Sequence, residues 1–301
     1  MASRTAVVAY CSYSYGGVPG TDLFLLAASV RRFGGSMSSS PVWIMYPSGK
    51  EPGPAERVRA AALGVELRPY SAEPALAAYP FAMKAAAAAA AESLAEGAAS
   101  ELWWFDRDSL VLSDPREASL VEGEALAFRP VNAQNIGQAS SEEPDGFWSR
   151  VYELGGLDPA RVGTTTSYME GRELRFYAAA GLLVARPERG MLRRWLSLSL
   201  ECASDERLAA LARSSSRHRL FLHQAALSVA IAAVTTEVER RALPPRFMYP
   251  LNFWSVEAAS RRPERVDDLV TLRYDAALED GGWKDFAMSP GLREWIEANM
   301  K

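Results

Sequence analysis

The sequence predicts an α/β fold, a mostly parallel central sheet with helices on both faces. Three features carry that expectation. Short apolar, β-branched runs alternate with helical patterns from the N-terminus to Phe105, and strands joined by helices pair in parallel. The 301 residues are 49% hydrophobic, enough to bury a full core. No internal repeat and no flexible linker interrupts the chain, so one compact domain over residues 1–301 is expected.

Taken in order, Thr5 to Tyr10 reads as the first strand, Ser12 to Gly17 as a loop, and Thr21 to Phe33 as a helix with Thr21 in the N-cap position. Val42 to Tyr46 forms a second strand, Pro54 to Leu63 a helix that stops at Gly64, and Val65 to Pro69 a third strand. A helix over Pro80 to Glu96 contains the run Ala85 to Ala91, a strong helix former whose small side chains let a helix lie close on a sheet. Leu102 to Phe105 is the fourth strand and Ala125 to Pro130 a further one. Residues Val131 to Tyr168 are polar and irregular apart from a helix over Phe147 to Leu154, the pattern of a variable or lid segment. Gly181 to Ala185 resumes as a strand, and Met191 to Leu200 and Phe221 to Ala233 read as helices.

Composition narrows the function. A net charge of −4 argues against a general nucleic-acid binder, which needs a basic excess. Only Cys11 and Cys202 are present, without metal-ligand spacing, which fits reduced thiols in a cytoplasmic protein. No apolar run approaches the length of a membrane span, and the N-terminus lacks a signal-peptide pattern.

The most informative motif is Asp106-Arg107-Asp108 at the end of Leu102-Trp103-Trp104-Phe105. Ligands of open α/β sheets bind beyond the carboxyl ends of the strands. On an extended segment, side chains two apart point the same way, so Asp106 and Asp108 would bracket one Mn²⁺ or Mg²⁺, hard cations that prefer oxygen ligands.

The order of segments resembles the GT-A fold of nucleotide-sugar glycosyltransferases, most of all the glycogenin and galactosyltransferase-like retaining family. Trp104 to Leu112 resembles its aspartate motif, Ala6 to Ser12 the strand and loop that hold the nucleotide, and Phe81-Ala82-Met83-Lys84 the basic helix before the motif. Phe176 to Val184 resembles an aromatic-Asn-Ala-Gly strand with Ala179 in the asparagine's place. His223-Gln224 stands where the family opens a helix with Asp-Gln, Leu243 to Phe253 resembles its Leu-Pro and Tyr-Asn region, and Gly281-Gly282-Trp283-Lys284 keeps a Gly-x-x-Lys spacing. The family's metal-binding histidine is absent, with Arg273-Tyr274-Asp275 nearby.

The resemblance implies a metal-dependent transfer of sugar from a nucleotide-diphosphate donor to an acceptor. Residues 1–130 would form the nucleotide-sugar half and 131–301 the acceptor side. It implies Asp108 as direct metal ligand, Asp106 as ligand or ribose contact, and Asp275 as a substitute third ligand, unless diphosphate and water complete the shell. Lys84 and Lys284 would contact diphosphate or sugar, and Tyr10, Cys11 and Ser12 would line the nucleotide pocket. Gln224 would bond the donor sugar, and His223, whose imidazole titrates near neutral pH, would serve as base or ligand, or simply start a helix. Asn132, Gln134 and Asn135 are candidates for sugar hydroxyls, and Trp148, Tyr168 and Trp254 for stacking on an acceptor sugar. Two rivals remain: a non-catalytic nucleotide-sugar or glycan-binding module on the same scaffold, and a haloacid-dehalogenase-type phosphatase with Asp106 as nucleophile.

Overall fold

The computed structural model describes residues 7–11, 22–71, 73–274 and 282–299, with the backbone alone at 7–11, 22 and 23. The strands are β1 (Val7–Cys11), β2 (Val42–Pro47), β3 (Val65–Tyr70), β4 (Leu102–Phe105), β5 (Ser109–Val111), β6 (Leu126–Pro130), β7 (Thr164–Thr166), β8 (Glu173–Arg175), β9 (Ala178–Ala185), β10 (Arg240–Ala242), β11 (Tyr249–Pro250) and β12 (Thr271–Arg273). The helices are α1 (Asp22–Phe33), α2 (Pro54–Ala62), α3 (Met83–Ala95), α4 (Gly146–Gly155), α5 (Met191–Ser204), α6 (Glu206–Ser214), α7 (Ser216–Val234) and α8 (Pro290–Asn299). Among the described residues, no helix is long and apolar enough to cross a membrane.

Seven strands form the main sheet in the order β10-β6-β9-β4-β1-β2-β3. All its pairings are parallel except those of β9, which runs antiparallel to β4 and β6. The period of two along β4 sends its side chains to opposite faces. Leu102 and Trp104 join a core with α3, α4, α5 and α7, while Trp103 and Phe105 join one with α1 and α2. The expected α/β architecture, with helices on both faces, is therefore present. The alanine run lies within the first core, where Ala85 to Ala89 and Ala91 are buried and α3 packs on β1, β2 and β4.

A third core surrounds a small sheet in the order β11-β12-β5, with Leu25, Leu110, Tyr249, Trp254, Leu272 and Ile296. That sheet, the β7–β8 hairpin, α6 and α8 were not expected. Three-residue strands carry too little periodicity to announce themselves.

Several boundaries move for physical reasons. Helix α3 starts at Met83, not Pro80, because Phe81 has φ +61°, which no right-handed helix accepts. Helix α7 begins five residues before the expected Phe221, capped where the Ser215 hydroxyl accepts from the His218 amide. Strand β9 extends back to Ala178, whose amide donates to the Ser228 hydroxyl. The expected lid segment contains core residues, among them Ile136, Phe147, Trp148 and Val162. Thr21 lies outside the described residues.

Candidate active site

Strand β4 ends at Phe105, and the Asp106 amide donates to the Gly181 carbonyl of β9 at 2.9 Å. The chain then turns: Ser109 N–H returns to the Asp106 carbonyl at 3.2 Å. The aspartates therefore stand on a turn and not on the extended segment expected. Strand β5 leaves this turn and pairs antiparallel with β12, placing Arg273 opposite Ser109. The Tyr274 amide fixes that approach by donating to the Asp108 carbonyl at 2.9 Å.

What the two carboxylates bracket is a guanidinium. Arg273 Nη2 lies 2.6 Å from Asp108 Oδ2, and its Nε lies 3.2 Å from both Asp108 oxygens. The same Nε is 3.8 Å from Asp106 Oδ2. On the other side, Lys84 Nζ reaches the Asp106 carboxylate at 2.6 Å and stands 4.8 Å from the centroid of the Phe81 ring. Glycine at position 181 makes room for this packing: a Cβ there would meet Met248 Sδ at 2.6 Å, Arg273 Cδ at 3.1 Å and Asp106 Oδ2 at 3.4 Å.

A cavity of about 250 Å³ opens on this cluster, walled by Lys84 and Asp106, the start of the 131–135 loop, β9, α7 and Arg273. Three non-glycine residues have positive φ among the described residues, Phe81 (+61°), Asn135 (+51°) and Met248 (+49°), and all three line the cavity. Such conformations cost about 1–3 kcal/mol each and persist where the surroundings impose them, often at ligand sites.

The wall opposite the aspartates comes from α7. His223 lies in the second turn of that helix and is buried, so the expected helix-start position is corrected. Its Nδ1 is 2.9 Å from the Leu220 carbonyl, an acceptor only, so Nδ1 carries the proton and Nε2 is left as an acceptor. Burial, reinforced by the Lys84 charge, pushes the imidazole down to about 3. It is neutral near pH 7 and is a weak base, contrary to the expectation from its ordinary value. Gln224 lines the same wall.

The other sequence candidates divide. Asn132 and Asn135 line the cavity, and the buried Oδ1 of Asn132 has no hydrogen-bond partner. Gln134 does not; its side chain donates to the Gly137 carbonyl in its own loop and accepts from Arg172 in the β7–β8 connection. Trp148 is a core residue donating to the Ile136 carbonyl, and Trp254 packs edge-on against Tyr249 at 5.9 Å. Tyr168 donates to the buried Glu257 at 2.5 Å, and burial with that carboxylate pushes its phenol up to about 12. None of these three rings lines the cavity; Phe81, Phe221 and Phe253 do. Lys284 is exposed on a 3₁₀ turn and is not part of the wall. Tyr10 pairs beside Phe105 and Cys11 ends the same strand, so the backbone of β1 reaches the aspartate end of the sheet. Ser12 and Asp275 lie outside the described residues.

At the described carboxylates, protein cations stand where the resemblance implies a divalent ion, and the expected third ligand, Asp275, lies outside the described residues. Among the described residues no group of three or more His, Cys, Asp or Glu is arranged to hold a metal. Both expected carboxylate ligands already face protein cations, and Arg273 cannot shed its charge.

Residues missed from sequence are Arg273, Gly181, Phe81, Phe221 and Phe253. A glycine inside a strand signals close backbone approach, and an arginine in a histidine's place was visible.

No curated protein matches the chain. Solved structures similar to it include mouse xyloside xylosyltransferase 1 in its apo form, at 11% identity over 91% of this chain and 98% of that one, TM-score 0.46. The galactosyltransferase LgtC, in complex with donor and acceptor sugar analogues, matches at 14% identity over 89% of this chain and 86% of that one, TM-score 0.45. The glycosyltransferase GlyE of Streptococcus pneumoniae TIGR4 matches at 13% identity over 99% of this chain and 61% of that one, TM-score 0.47. The family model described as the Rhodobacterales glycosyltransferase domain matches residues 21–235, more than two-thirds of the chain, and the chain belongs to that family.

Proposed function

We propose that the cavity at the carboxyl end of β4 takes the sugar and diphosphate of a nucleotide-diphosphate donor, and that the chain transfers the sugar to an acceptor hydroxyl. The observation that carries this reading is the pair of side-chain cations, Lys84 and Arg273, opening into a cavity whose wall also holds the amides of Asn132 and Gln224, the rings of Phe81, Phe221 and Phe253, and aliphatic side chains. Lysine and arginine at a polar cleft suit phosphate oxygens, and amides with aromatic faces suit a sugar. A cavity of about 250 Å³ is below the usual size for a whole drug-like ligand, so the nucleoside would extend outside it, toward the end of β1.

In the transfer, the bond between sugar C1 and the diphosphate oxygen breaks and a bond from C1 to the acceptor oxygen forms. The nucleoside diphosphate leaves with the electron pair, and the acceptor hydroxyl's proton ends on the departing diphosphate. Lys84 and Arg273 meet the charge that builds on the leaving group. Gln224 and Asn132 offer hydrogen bonds to sugar hydroxyls, and His223 Nε2 accepts one. The two carboxylates hold the cations in place, so side chains of the chain itself meet the leaving charge.

The test is a coupled assay for nucleoside diphosphate release from UDP-, GDP-, ADP- and TDP-sugars, with and without simple glycoside acceptors. One donor is expected to support release, with at least a tenfold acceleration by an acceptor and loss of at least a hundredfold in Lys84→Met. Donor binding with no turnover under any acceptor would favour the non-catalytic module. No binding to any donor would overturn the reading.

A further inference from the structure

The carboxylates at the turn are paired with two protein cations, which bears on the cofactor. Facing Asp106 and Asp108, Lys84 and Arg273 together bring +2, the charge one divalent ion would supply. This inference rests on the transferase reading above. We propose that Arg273, held by Asp108 and acting with Lys84, stands in the place of a divalent cation, so that the donor diphosphate is bound and its leaving charge neutralised without metal.

Four observations support the assignment. The register of β5 against β12 sets Arg273 opposite Ser109, one residue from Asp108, so the guanidinium is delivered by backbone pairing and not by a floppy surface loop. Its Nη2 and Nε both face the Asp108 carboxylate, at 2.6 and 3.2 Å, a charge-assisted arrangement that orients the planar group. The missing Cβ at Gly181 leaves space for both the Arg273 stem and the Asp106 carboxylate. The Arg273 and Lys84 side chains are 27% and 17% exposed and both line the cavity, within reach of a ligand.

Arginine suits this task chemically. Its charge is permanent, and its fork of N–H donors matches phosphate oxygens in pairs. A metal ion entering between the aspartates would have to displace this guanidinium from Asp108 and the ammonium from Asp106. Asp108 is a positioning residue here, since it acts on the donor through Arg273. When the C1–oxygen bond breaks, the diphosphate oxygen keeps the electron pair, and the charge it gains lies beside Arg273 and Lys84.

The test measures affinity for UDP, GDP, ADP and TDP by calorimetry, in EDTA and again in Mn²⁺. One of them is expected to bind the wild-type chain in EDTA, with Mn²⁺ changing the dissociation constant less than twofold. Arg273→Ala should weaken that binding at least thirtyfold in EDTA, and Arg273→Lys should recover part of it. Mn²⁺ should restore part of the affinity of Arg273→Ala, because removing the guanidinium uncovers the Asp108 carboxylate for the ion while Lys84 still pairs with Asp106, a rescue that a merely structural role would not produce. The double variant Arg273→Ala/Asp108→Asn, which leaves no unpaired carboxylate at position 108, should show the same loss and guards against misfolding. Wild-type binding only with Mn²⁺ or Mg²⁺ overturns the inference and leaves the transferase reading standing, as does full affinity in folded Arg273→Ala. No binding to any nucleoside diphosphate in either buffer overturns both.

Discussion

Helix α3 carries two charges in opposite circumstances. Lys84, in its first turn, pairs with Asp106 and opens into the cavity. Glu92, two turns further on, is fully buried and accepts from the amides of Leu192 and Arg193 at 3.1 and 2.8 Å, satisfying donors at the start of α5. Burial pushes the Glu92 carboxyl up from its ordinary range, and those two amides oppose the shift. The difference separates structure from function. A charge closed away from any cavity by backbone donors and the Arg193 guanidinium fastens one helix to another, whereas a charge paired at a cavity wall can exchange its partner for a ligand.

Two substitutions break the comparison in opposite directions. Glu92→Ala strands two amides at the α5 N-terminus and is expected to cost about 3 kcal/mol, read from urea unfolding. Donor affinity in the remaining folded protein should not change. Lys84→Met should do the reverse, weakening nucleoside diphosphate binding about thirtyfold, or about 2 kcal/mol, while lowering stability by about 1 kcal/mol because Arg273 stays beside Asp106. Equal loss of binding in both variants would remove the distinction.

His223 sharpens it further, as a titratable group at the cavity wall held by burial. Its folded pKa is depressed from 6.5 to about 3, so between those values the unfolded chain binds a proton that the folded one refuses. Stability should therefore fall as pH drops from 6.5 toward 3, by up to about 1.4 kcal/mol per unit from this group. His223→Gln should flatten that part of the profile in denaturant titrations at pH 7, 5.5 and 4. Parallel profiles would show that the imidazole binds its proton as readily in the folded chain as in the unfolded one.

Much of the frame was legible in the sequence because it rests on local patterns. The apolar run Leu102 to Phe105 identified the central strand and the aspartates at its end, and the alanine run identified the helix that lies on it. The partners of those aspartates were less legible. Asp108 and Arg273 are 165 residues apart in sequence and meet through two three-residue strands, whose register no local pattern records. Phe81 delays the start of a predicted helix through a left-handed backbone that its identity does not suggest. His223 was read as a helix start because the polar Ser215 to His218 segment masked the first turn of α7, and its depressed pKa follows from depth that only the packing reveals. The aromatic candidates Trp148 and Trp254 went to the core, the common fate of large rings.

The most direct measurement of the central claim is a crystal structure of the chain with a nucleoside diphosphate bound. Diphosphate oxygens are expected in the cavity within about 2.7–3.2 Å of both Lys84 Nζ and the Arg273 guanidinium. A diphosphate bound elsewhere, with Lys84 and Arg273 still turned to Asp106 and Asp108 alone, would contradict it.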